Sequence, residues 1–125
     1  MRLLLDTHIF LWAVMGSASL KLPARRIIEG AEQVYVSAAS IWEIAVKTRL
    51  GKIDADAEDL VTSIAASGFL DLPVQSQHAA GVAKLALHHA DPFDRILVAQ
   101  AIFEPLKLLT VDSVLAQYGD MVILA

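Results

Sequence analysis

The sequence contains no cysteine among its 125 residues. This absence excludes a disulfide framework, a zinc site built on thiolates and a cysteine nucleophile, and it fits a reducing cytoplasm. Glycine is also scarce, and no two of the six glycines lie closer together than thirteen positions. The Gly-rich loops that bind dinucleotides or nucleoside triphosphates place their glycines much closer than this. We therefore expect no nucleotide cofactor.

Long hydrophobic runs are missing too. The longest uninterrupted apolar segment, Ile9–Met15, has seven residues, far fewer than the roughly 18 that indicate a membrane span. Asp6 interrupts the apolar start of the chain before the core of a signal peptide could form. These absences favour a cytoplasmic protein with no membrane association.

Basic residues are not in excess. The chain has 10 Lys and Arg against 14 Asp and Glu, a formal net charge of −4, so no broadly basic surface indicates a nucleic-acid partner. Hydrophobic residues make up 56% of the chain and charged residues 19%, a composition that excludes intrinsic disorder. The length fits a single domain over residues 1–125 with one buried core.

Short apolar runs alternate with longer amphipathic stretches, a pattern typical of βα units and a parallel sheet. We expect an α/β fold of three layers, with a five-stranded parallel sheet and about seven helices. The predicted strands are Arg2–Leu5, Val34–Val36, Phe69–Leu72, Lys107–Leu109 and Met121–Leu124. The predicted helices are Thr7–Val14, Pro23–Glu29, Ala38–Leu50, Ala57–Ala66, Ser76–Leu87, Pro92–Phe103 and Ser113–Gln117.

Four acidic residues fall where such a sheet would bring them together. Asp6 follows the first strand, Asp112 follows the fourth, Glu43 lies in the first turns of the helix after the second strand, and Asp94 opens the helix before the fourth. Ligands of open parallel sheets bind at the carboxyl ends of the strands. Clustered carboxylates repel one another, and a hard cation such as Mg²⁺ or Mn²⁺, which prefers oxygen ligands, would offset that repulsion.

Five segments, in order and over nearly the whole chain, resemble PIN-domain ribonucleases, and the branch they resemble is the VapC toxins of bacterial toxin–antitoxin systems. The segments are Leu3-Leu4-Leu5-Asp6-Thr7-His8, Ser40-Ile41-Trp42-Glu43-Ile44, Lys47 with Leu50-Gly51-Lys52, Asp91-Pro92-Phe93-Asp94-Arg95 leading to Ala99-Gln100-Ala101, and Thr110-Val111-Asp112. The resemblance implies a PIN-like α/β/α fold and an endoribonuclease site of clustered acids that depends on Mg²⁺ or Mn²⁺.

Carried over position by position, the acids of the family fall on Asp6, Glu43, Asp94 and Asp112, as catalytic residues and as metal ligands. Thr110 matches a hydroxyl residue of the family, and such a hydroxyl can orient a neighbouring carboxylate. Asp91 lies three residues before Asp94, either on the same helical face or in the cap of the helix.

The resulting hypothesis is a toxin that hydrolyses RNA phosphodiester bonds. The resemblance implies three partners: an RNA substrate, a small VapB-type antitoxin that inhibits the enzyme, and a second copy in a homodimer. We expect Ile9–Met15 and the pair Ile27-Ile28 to line a groove for an antitoxin helix, the alternative being that both segments are ordinary core.

Each acid also has a purely structural interpretation. Asp6 and Asp112 could cap helices, Asp94 could be an acid at a helix start, and Glu43 could pair with Lys47 at i, i+4.

Further side chains are candidates for RNA contact or for simple structural roles. The candidates for RNA contact are His8, Lys47, Arg49 and Lys52, and also Lys21, Arg25 and Arg26. We expect His88 and His89 to be solvated rather than metal-bound, and Trp12 and Trp42 to lie in the core.

Two other classes of protein are possible on the same fold. A phospho-receiver signalling domain needs an acidic pair after its first strand, an acceptor Asp after its third and a Lys near its fifth. Here Thr7 follows Asp6, Pro73 follows the third strand, and residues 121–125 contain no Lys. A non-catalytic interaction module would have no reason to keep four repelling acids together.

Overall fold

Five short apolar segments form one parallel sheet in the computed structural model, which describes residues 1–125. The strands are β1 (Arg2–Leu5), β2 (Gln33–Ser37), β3 (Leu70–Leu72), β4 (Lys107–Thr110) and β5 (Val122–Leu124). They lie in the order β3-β2-β1-β4-β5, and every neighbouring pair is parallel. The predicted five-stranded parallel sheet is confirmed, with strand ends displaced by one residue at most.

Six α-helices connect and cover the strands. They are α1 (Thr7–Met15), α2 (Leu22–Gly30), α3 (Ala38–Arg49), α4 (Ala57–Ala66), α5 (Ser76–Gly81) and α6 (Pro92–Phe103). Asp6, Ser37, Asp56 and Asp91 accept hydrogen bonds from free backbone N–H groups at the starts of α1, α3, α4 and α6. None of these helices is long and apolar enough to cross a membrane.

The alternation of side chains along β1 produces the three layers. Leu3 and Leu5 are fully buried on one face of the sheet, against residues of α1, α2, α3 and α4. Leu4 is fully buried on the other face, against Leu97 and Val98 of α6. A strand that is apolar on both faces requires helices on both sides of the sheet, so the sequence of β1 already specifies the layered architecture.

Two predicted helices are shorter than expected. The segment predicted as Ser76–Leu87 is α5 followed by a 3₁₀ turn over Val82–Lys84. The Arg95 guanidinium, on α6, donates to the carbonyls of Val82, Ala86 and His89. In a continuous α-helix such carbonyls would accept hydrogen bonds from backbone N–H groups four residues later. Here they accept from Arg95 instead, and the α-helix ends at Gly81.

The last predicted helix, Ser113–Gln117, is a 3₁₀ turn over Leu115–Tyr118. Only Leu115 is buried in it, and Gly119 follows at once with φ +134°. A short α-helix is stable only when tertiary packing buries an apolar face. This segment buries a single apolar side chain, so it forms only a 3₁₀ turn.

The strand order places a change of direction at the centre of the sheet. From β1 the chain moves outward to β2 and β3, and it then returns to the other side of β1 for β4 and β5. The carboxyl ends of β1 and β4 are therefore neighbours, and the Asp6 N–H donates to the Leu109 carbonyl at 3.0 Å. Such a switch point is where open parallel sheets form their ligand cleft.

Candidate active site

Asp6 stands at the centre of this cleft, directly after β1. Its side chain is 4% exposed. One carboxylate oxygen, Oδ1, accepts from the backbone N–H of His8 at 2.7 Å, and the other, Oδ2, accepts from the Thr110 hydroxyl at 2.6 Å. Asp6 therefore does cap α1, as its structural interpretation held, and the same contacts fix both of its oxygens at the end of the sheet.

Thr110 links two strand ends of the cleft. Its hydroxyl is fully buried, donates to Asp6 and accepts from the backbone N–H of Asp112 at 3.0 Å. One side chain thus holds the carboxylate after β1 and the backbone after β4 in a fixed relation. This arrangement has the orienting geometry that was expected of Thr110.

Glu43 is brought in by α3 and is 2% exposed. Its Oε1 accepts from the Thr7 hydroxyl at 2.8 Å, and its Oε2 forms an ion pair with Lys47, one helical turn further on. The ion pair with Glu43, followed by the charges of Asp91 and Asp94, raises the pKa of Lys47 above its ordinary value despite the opposing effect of burial. Lys47 thus supplies an ammonium group to the acidic cluster.

Asp94 occupies the first turn of α6, and its pKa is affected by burial and by the neighbouring acids. Burial, followed by the charges of Asp91, Asp6 and Glu43, raises the pKa of Asp94 from 3.8 to about 7. Desolvation and nearby like charges both disfavour a carboxylate. Asp94 therefore lies within the electrostatic field of Asp91, Asp6 and Glu43.

Asp91 is the N-cap residue of α6, the second of the two positions that the sequence left open. Its Oδ1 accepts from the backbone N–H of Phe93 at 2.8 Å and of Asp94 at 3.3 Å, and Pro92 takes the first helical position. The charge of Asp91 nevertheless acts on Asp94 and on Lys47. Asp91 is a capping residue at the border of the cleft.

Asp112 is the fourth acid of the cleft; it follows β4 and contacts His89, which was not expected there. Its Oδ1 accepts from the backbone N–H of Val114 at 2.9 Å, and its Oδ2 lies 2.9 Å from Nε2 of His89. The same nitrogen is 3.4 Å from Oδ2 of Asp94. The prediction that His89 is merely solvated is wrong, because its side chain is only 20% exposed and bridges two of the acids.

Other predicted contacts do not reach the acids. Arg49 is exposed at the end of α3 beside Ala55–Glu58, and Lys52 is exposed with no side-chain partner. His8 is exposed, and its ring lies 6.0 Å from the ring of Trp12. Only the backbone N–H of His8 takes part, through its bond to Asp6.

The cations of α2 have structural contacts. Arg25 donates to the carbonyls of Ser17 and Leu20, and Lys21 donates to the carbonyl of Ala18. Arg26 is exposed. These contacts hold the connection between α1 and α2 and involve none of the acids.

The two tryptophans differ. Trp12 packs against the core as expected, but the prediction that Trp42 lies in the core is wrong. Trp42 is 62% exposed, and its ring meets that of Phe93 edge-on at 4.8 Å. Helix α3 buries Ile44 on a different face, so Trp42 is left at the junction with α6.

The donor set of the cleft fits a hard divalent cation. Asp6, Glu43, Asp94 and Asp112 present carboxylate oxygens from four separate segments, and burial together with nearby negative charges raises the pKa of Asp94 although Lys47 and His89 lie beside the acids. Oxygen ligands of this kind suit Mg²⁺ and Mn²⁺. Thr7, which orients Glu43, was not singled out from the sequence. Its position directly after Asp6 is the signal that could have identified it.

Comparison with known proteins agrees with this geometry. The family model described as PIN domain matches residues 3–121. No curated protein matches the sequence significantly.

Solved structures share the fold at low identity. VapBC2 from Rickettsia felis, bound to a DNA fragment from its promoter, is 14% identical over 100% of this chain and 98% of that one, with a TM-score of 0.69. A toxin–antitoxin complex from Klebsiella pneumoniae is 20% identical over 96% and 94%, with a TM-score of 0.66. FitAcB from Neisseria gonorrhoeae is 17% identical over 98% and 96%, with a TM-score of 0.66. Because the PIN domain model matches residues 3–121, nearly the whole chain, the chain belongs to the PIN domain family.

Proposed function

We propose that residues 1–125 form one PIN domain that acts in the cytoplasm as an endoribonuclease toxin dependent on Mg²⁺ or Mn²⁺. PIN domains are generally metal-dependent nucleases, and RNA as the substrate rests on the resemblance of the motifs. The observation that carries the proposal is the convergence of Asp6, Glu43, Asp94 and Asp112 beside β1 and β4, where burial and the charges of Asp91, Asp6 and Glu43 raise the pKa of Asp94 to about 7. A cluster that lowers the stability of the apo fold is expected to serve a ligand or a reaction.

The chain supplies the ligands and their orientation. The four acids would hold the divalent ion, which when bound supplies positive charge that activates water and stabilises the departing oxygen of a phosphodiester. Thr7 and Thr110 fix the oxygens of Glu43 and Asp6 through buried hydrogen bonds of 2.8 Å and 2.6 Å. Preorganised ligands of this kind need little rearrangement when the ion and the phosphate arrive.

Lys47 is expected to moderate the charge of the empty cluster. Its ammonium group pairs with Glu43 and feels the charges of Asp91 and Asp94. The cluster still has an excess of negative charge, which would repel an RNA phosphate. Binding of one or two divalent ions would reverse that local field, so a protein of net charge −4 could still bind a polyanion at this one place.

The proposal is tested by incubating the purified protein with a panel of cellular RNAs and mapping the cut ends. We expect internal cleavage with Mg²⁺ or Mn²⁺, loss of cleavage with EDTA, and loss in Asp94→Asn. The matched control is Asp54→Asn, which makes the same exchange at an exposed residue that has no side-chain hydrogen bond. Undiminished cleavage by a folded Asp94→Asn protein would show that the site is elsewhere.

The toxin role draws on the neighbours. One similar structure is VapBC2 bound to a DNA fragment from its promoter, and another is a toxin–antitoxin complex. The sequence motifs of this chain also resemble those of VapC toxins. We propose a small VapB-type antitoxin as partner and a homodimer as the assembly.

The groove predicted for an antitoxin helix is only partly available on this surface. Ile9, Phe10 and Leu11 are buried in the core, whereas Trp12, Val14 and the pair Ile27-Ile28 are partly exposed at its edge. Any antitoxin contact would therefore use the second half of α1 and the outer face of α2.

The toxin role is tested in cells. Expression of the parent chain should arrest growth, and expression of Asp94→Asn at the same level should not. Harmless expression of an active parent without any neighbouring gene product would contradict the toxin role while leaving the nuclease proposal intact.

A further inference from the structure

His89 lies over the acidic cleft in a fixed orientation that the four-acid site does not explain. Its Nε2 faces Asp112 at 2.9 Å and Asp94 at 3.4 Å. Three ligand atoms, one from each of these residues, lie within 4.8 Å of one another. By distance alone the group could be a metal site with a nitrogen ligand, or His89 could donate a hydrogen bond to the two carboxylates.

The other ring nitrogen decides between these roles. Nδ1 of His89 accepts from the backbone N–H of Asp91 at 3.0 Å. A nitrogen that accepts an N–H carries no proton, so the ring proton is on Nε2. Nε2 then has no free lone pair for a cation and instead points an N–H at Asp112 and Asp94.

The backbone around His89 is clamped, so the ring cannot easily exchange these contacts. The Tyr118 hydroxyl accepts from the backbone N–H of His89 at 3.1 Å, and Arg95 donates to that hydroxyl at 3.2 Å. Arg95 also donates to the carbonyls of Ala86 and Val82, each at 3.1 Å. The Arg95 side chain is 9% exposed, so a buried cation holds the loop that presents His89.

We infer that His89 is a positioning residue: an Nε2–H donor that holds the Asp112 and Asp94 carboxylates in place, and not a ligand of the metal. The inference rests on the proposed function for the identity of the site, but the protonated nitrogen and the absence of nitrogen ligation can be measured without any cleavage. Outer contacts that orient ligating carboxylates commonly change metal affinity or activity by about 10- to 100-fold when removed.

The tautomer is tested by two-bond ¹H–¹⁵N correlation of the histidine rings in the metal-free protein near neutral pH. The His89 signals are assigned from the spectrum of His89→Gln. We expect a protonated Nε2 and an unprotonated Nδ1. A protonated Nδ1 with a free Nε2 would overturn the inference.

Ligation is tested with Mn²⁺ as the probe, by electron spin-echo modulation from ¹⁴N and by calorimetric titration. We expect no nitrogen modulation from a histidine in the parent protein. A ¹⁴N signal that is present in the parent and lost in His89→Ala would make His89 a ligand and would contradict the inference.

The positioning role is tested by comparing His89→Ala with His89→Gln, since glutamine can place an N–H donor near the position of Nε2. We expect His89→Ala to bind Mn²⁺ about 10- to 100-fold more weakly, and His89→Gln to recover most of that loss. His88→Ala is the matched control, because His88 is exposed and touches only the Tyr118 ring, at 5.0 Å. Equal losses in the alanine and glutamine variants, with melting temperatures like that of the parent, would refute the donor role.

The outcome for RNA separates this inference from the proposed function. If the parent does not cut RNA under any metal condition, the proposed function fails while the tautomer and the Mn²⁺ data still decide the role of His89. If the parent cuts RNA, kcat should fall in His89→Ala with little change in KM, because the ring contacts the carboxylates rather than a distant part of the substrate. A change in KM alone would contradict the positioning role.

Discussion

Replacing Asp94 by asparagine should stabilise the metal-free protein at neutral pH. Burial of the carboxyl group, followed by the charges of Asp91, Asp6 and Glu43, raises its pKa from 3.8 to about 7. A carboxyl with a higher pKa in the folded than in the unfolded chain destabilises the fold when it is ionised. Asparagine keeps the size and polarity of the side chain and cannot ionise.

The magnitude follows from the difference in pKa. A shift of about 3 units corresponds to roughly 4 kcal/mol at about 1.36 kcal/mol per unit. The Asp94 side chain is 18% exposed at an open cleft, where water and salt screen part of this repulsion, so we expect a gain of about 2 kcal/mol for Asp94→Asn. For a chain of this length that gain raises Tm by about 6–10 °C.

The sign of the pH dependence is part of the prediction. Between about pH 4 and pH 7 the folded protein binds more protons at Asp94 than the unfolded chain does, so the stability of the parent from this group falls as pH rises through that range. The advantage of Asp94→Asn should therefore be full above about pH 7.5, shrink as the pH is lowered and disappear near pH 4.

The assay is thermal and denaturant unfolding of EDTA-treated protein at several pH values, with Asp54→Asn as the exposed control. A gain of the same size in Asp54→Asn, or a gain in Asp94→Asn that does not change with pH, would refute the reasoning. So would an Asp94→Asn protein less stable than the parent at pH 7.5, because the charge would then be a net favourable one.

Three further changes test the contacts around the acids. Lys47→Ala should lower the free energy of unfolding by about 2–3 kcal/mol, because it leaves the buried Glu43 without its cation, and added Mn²⁺ should recover part of the loss; an equal loss with and without Mn²⁺ in equilibrium unfolding would contradict this. Thr110→Val should destabilise the protein by about 1–3 kcal/mol and weaken Mn²⁺ binding, since the Asp6 carboxylate and the Asp112 N–H lose a buried partner, whereas Thr110→Ser keeps the hydroxyl and should retain both properties. Asp91→Asn should keep the cap of α6 while Asp91→Ala loses about 1 kcal/mol, and comparable Mn²⁺ affinity by calorimetry in the asparagine variant and the parent would confirm that Asp91 caps rather than ligates.

The candidate acids could be selected from the sequence because each strand end is indicated by a short apolar run that stops at a polar residue. Asp6 and Thr110 follow apolar runs, and neighbouring parallel strands bring such positions to one edge whatever the details of the loops. The sequence left Asp91 open between the helical face and the cap, although Pro92 already indicated where α6 starts. These features depend on a few adjacent residues.

His89 could not be placed in this way. It lies 23 residues from Asp112 in sequence, and its loop takes its shape from Arg95 and Tyr118, which act through tertiary hydrogen bonds. Nothing in the local pattern around His88 and His89 distinguishes the solvated ring from the one that faces the acids.

Helix rotation explains where two other residues lie. Arg49 is six residues after Glu43, which turns it by about 240° on the helix and so away from the cleft. Trp42 precedes Glu43 by one residue and lies on the face of α3 next to Phe93, where the contact with that ring still leaves it 62% exposed. An apolar residue type predicts burial only where another element packs against that face of the helix.

The central claim is that Asp6 and Asp94, with Glu43 and Asp112, hold a divalent ion. Calorimetric titration of Mn²⁺ into the parent and into the Asp6→Asn/Asp94→Asn double variant at pH 7.5 tests it most directly. We expect binding in the parent, weaker binding near pH 5 where the carboxyls take up protons, and little or no binding in a double variant that remains folded. A folded double variant that binds Mn²⁺ as tightly as the parent would contradict the assignment of the ligands, even if the protein cut RNA.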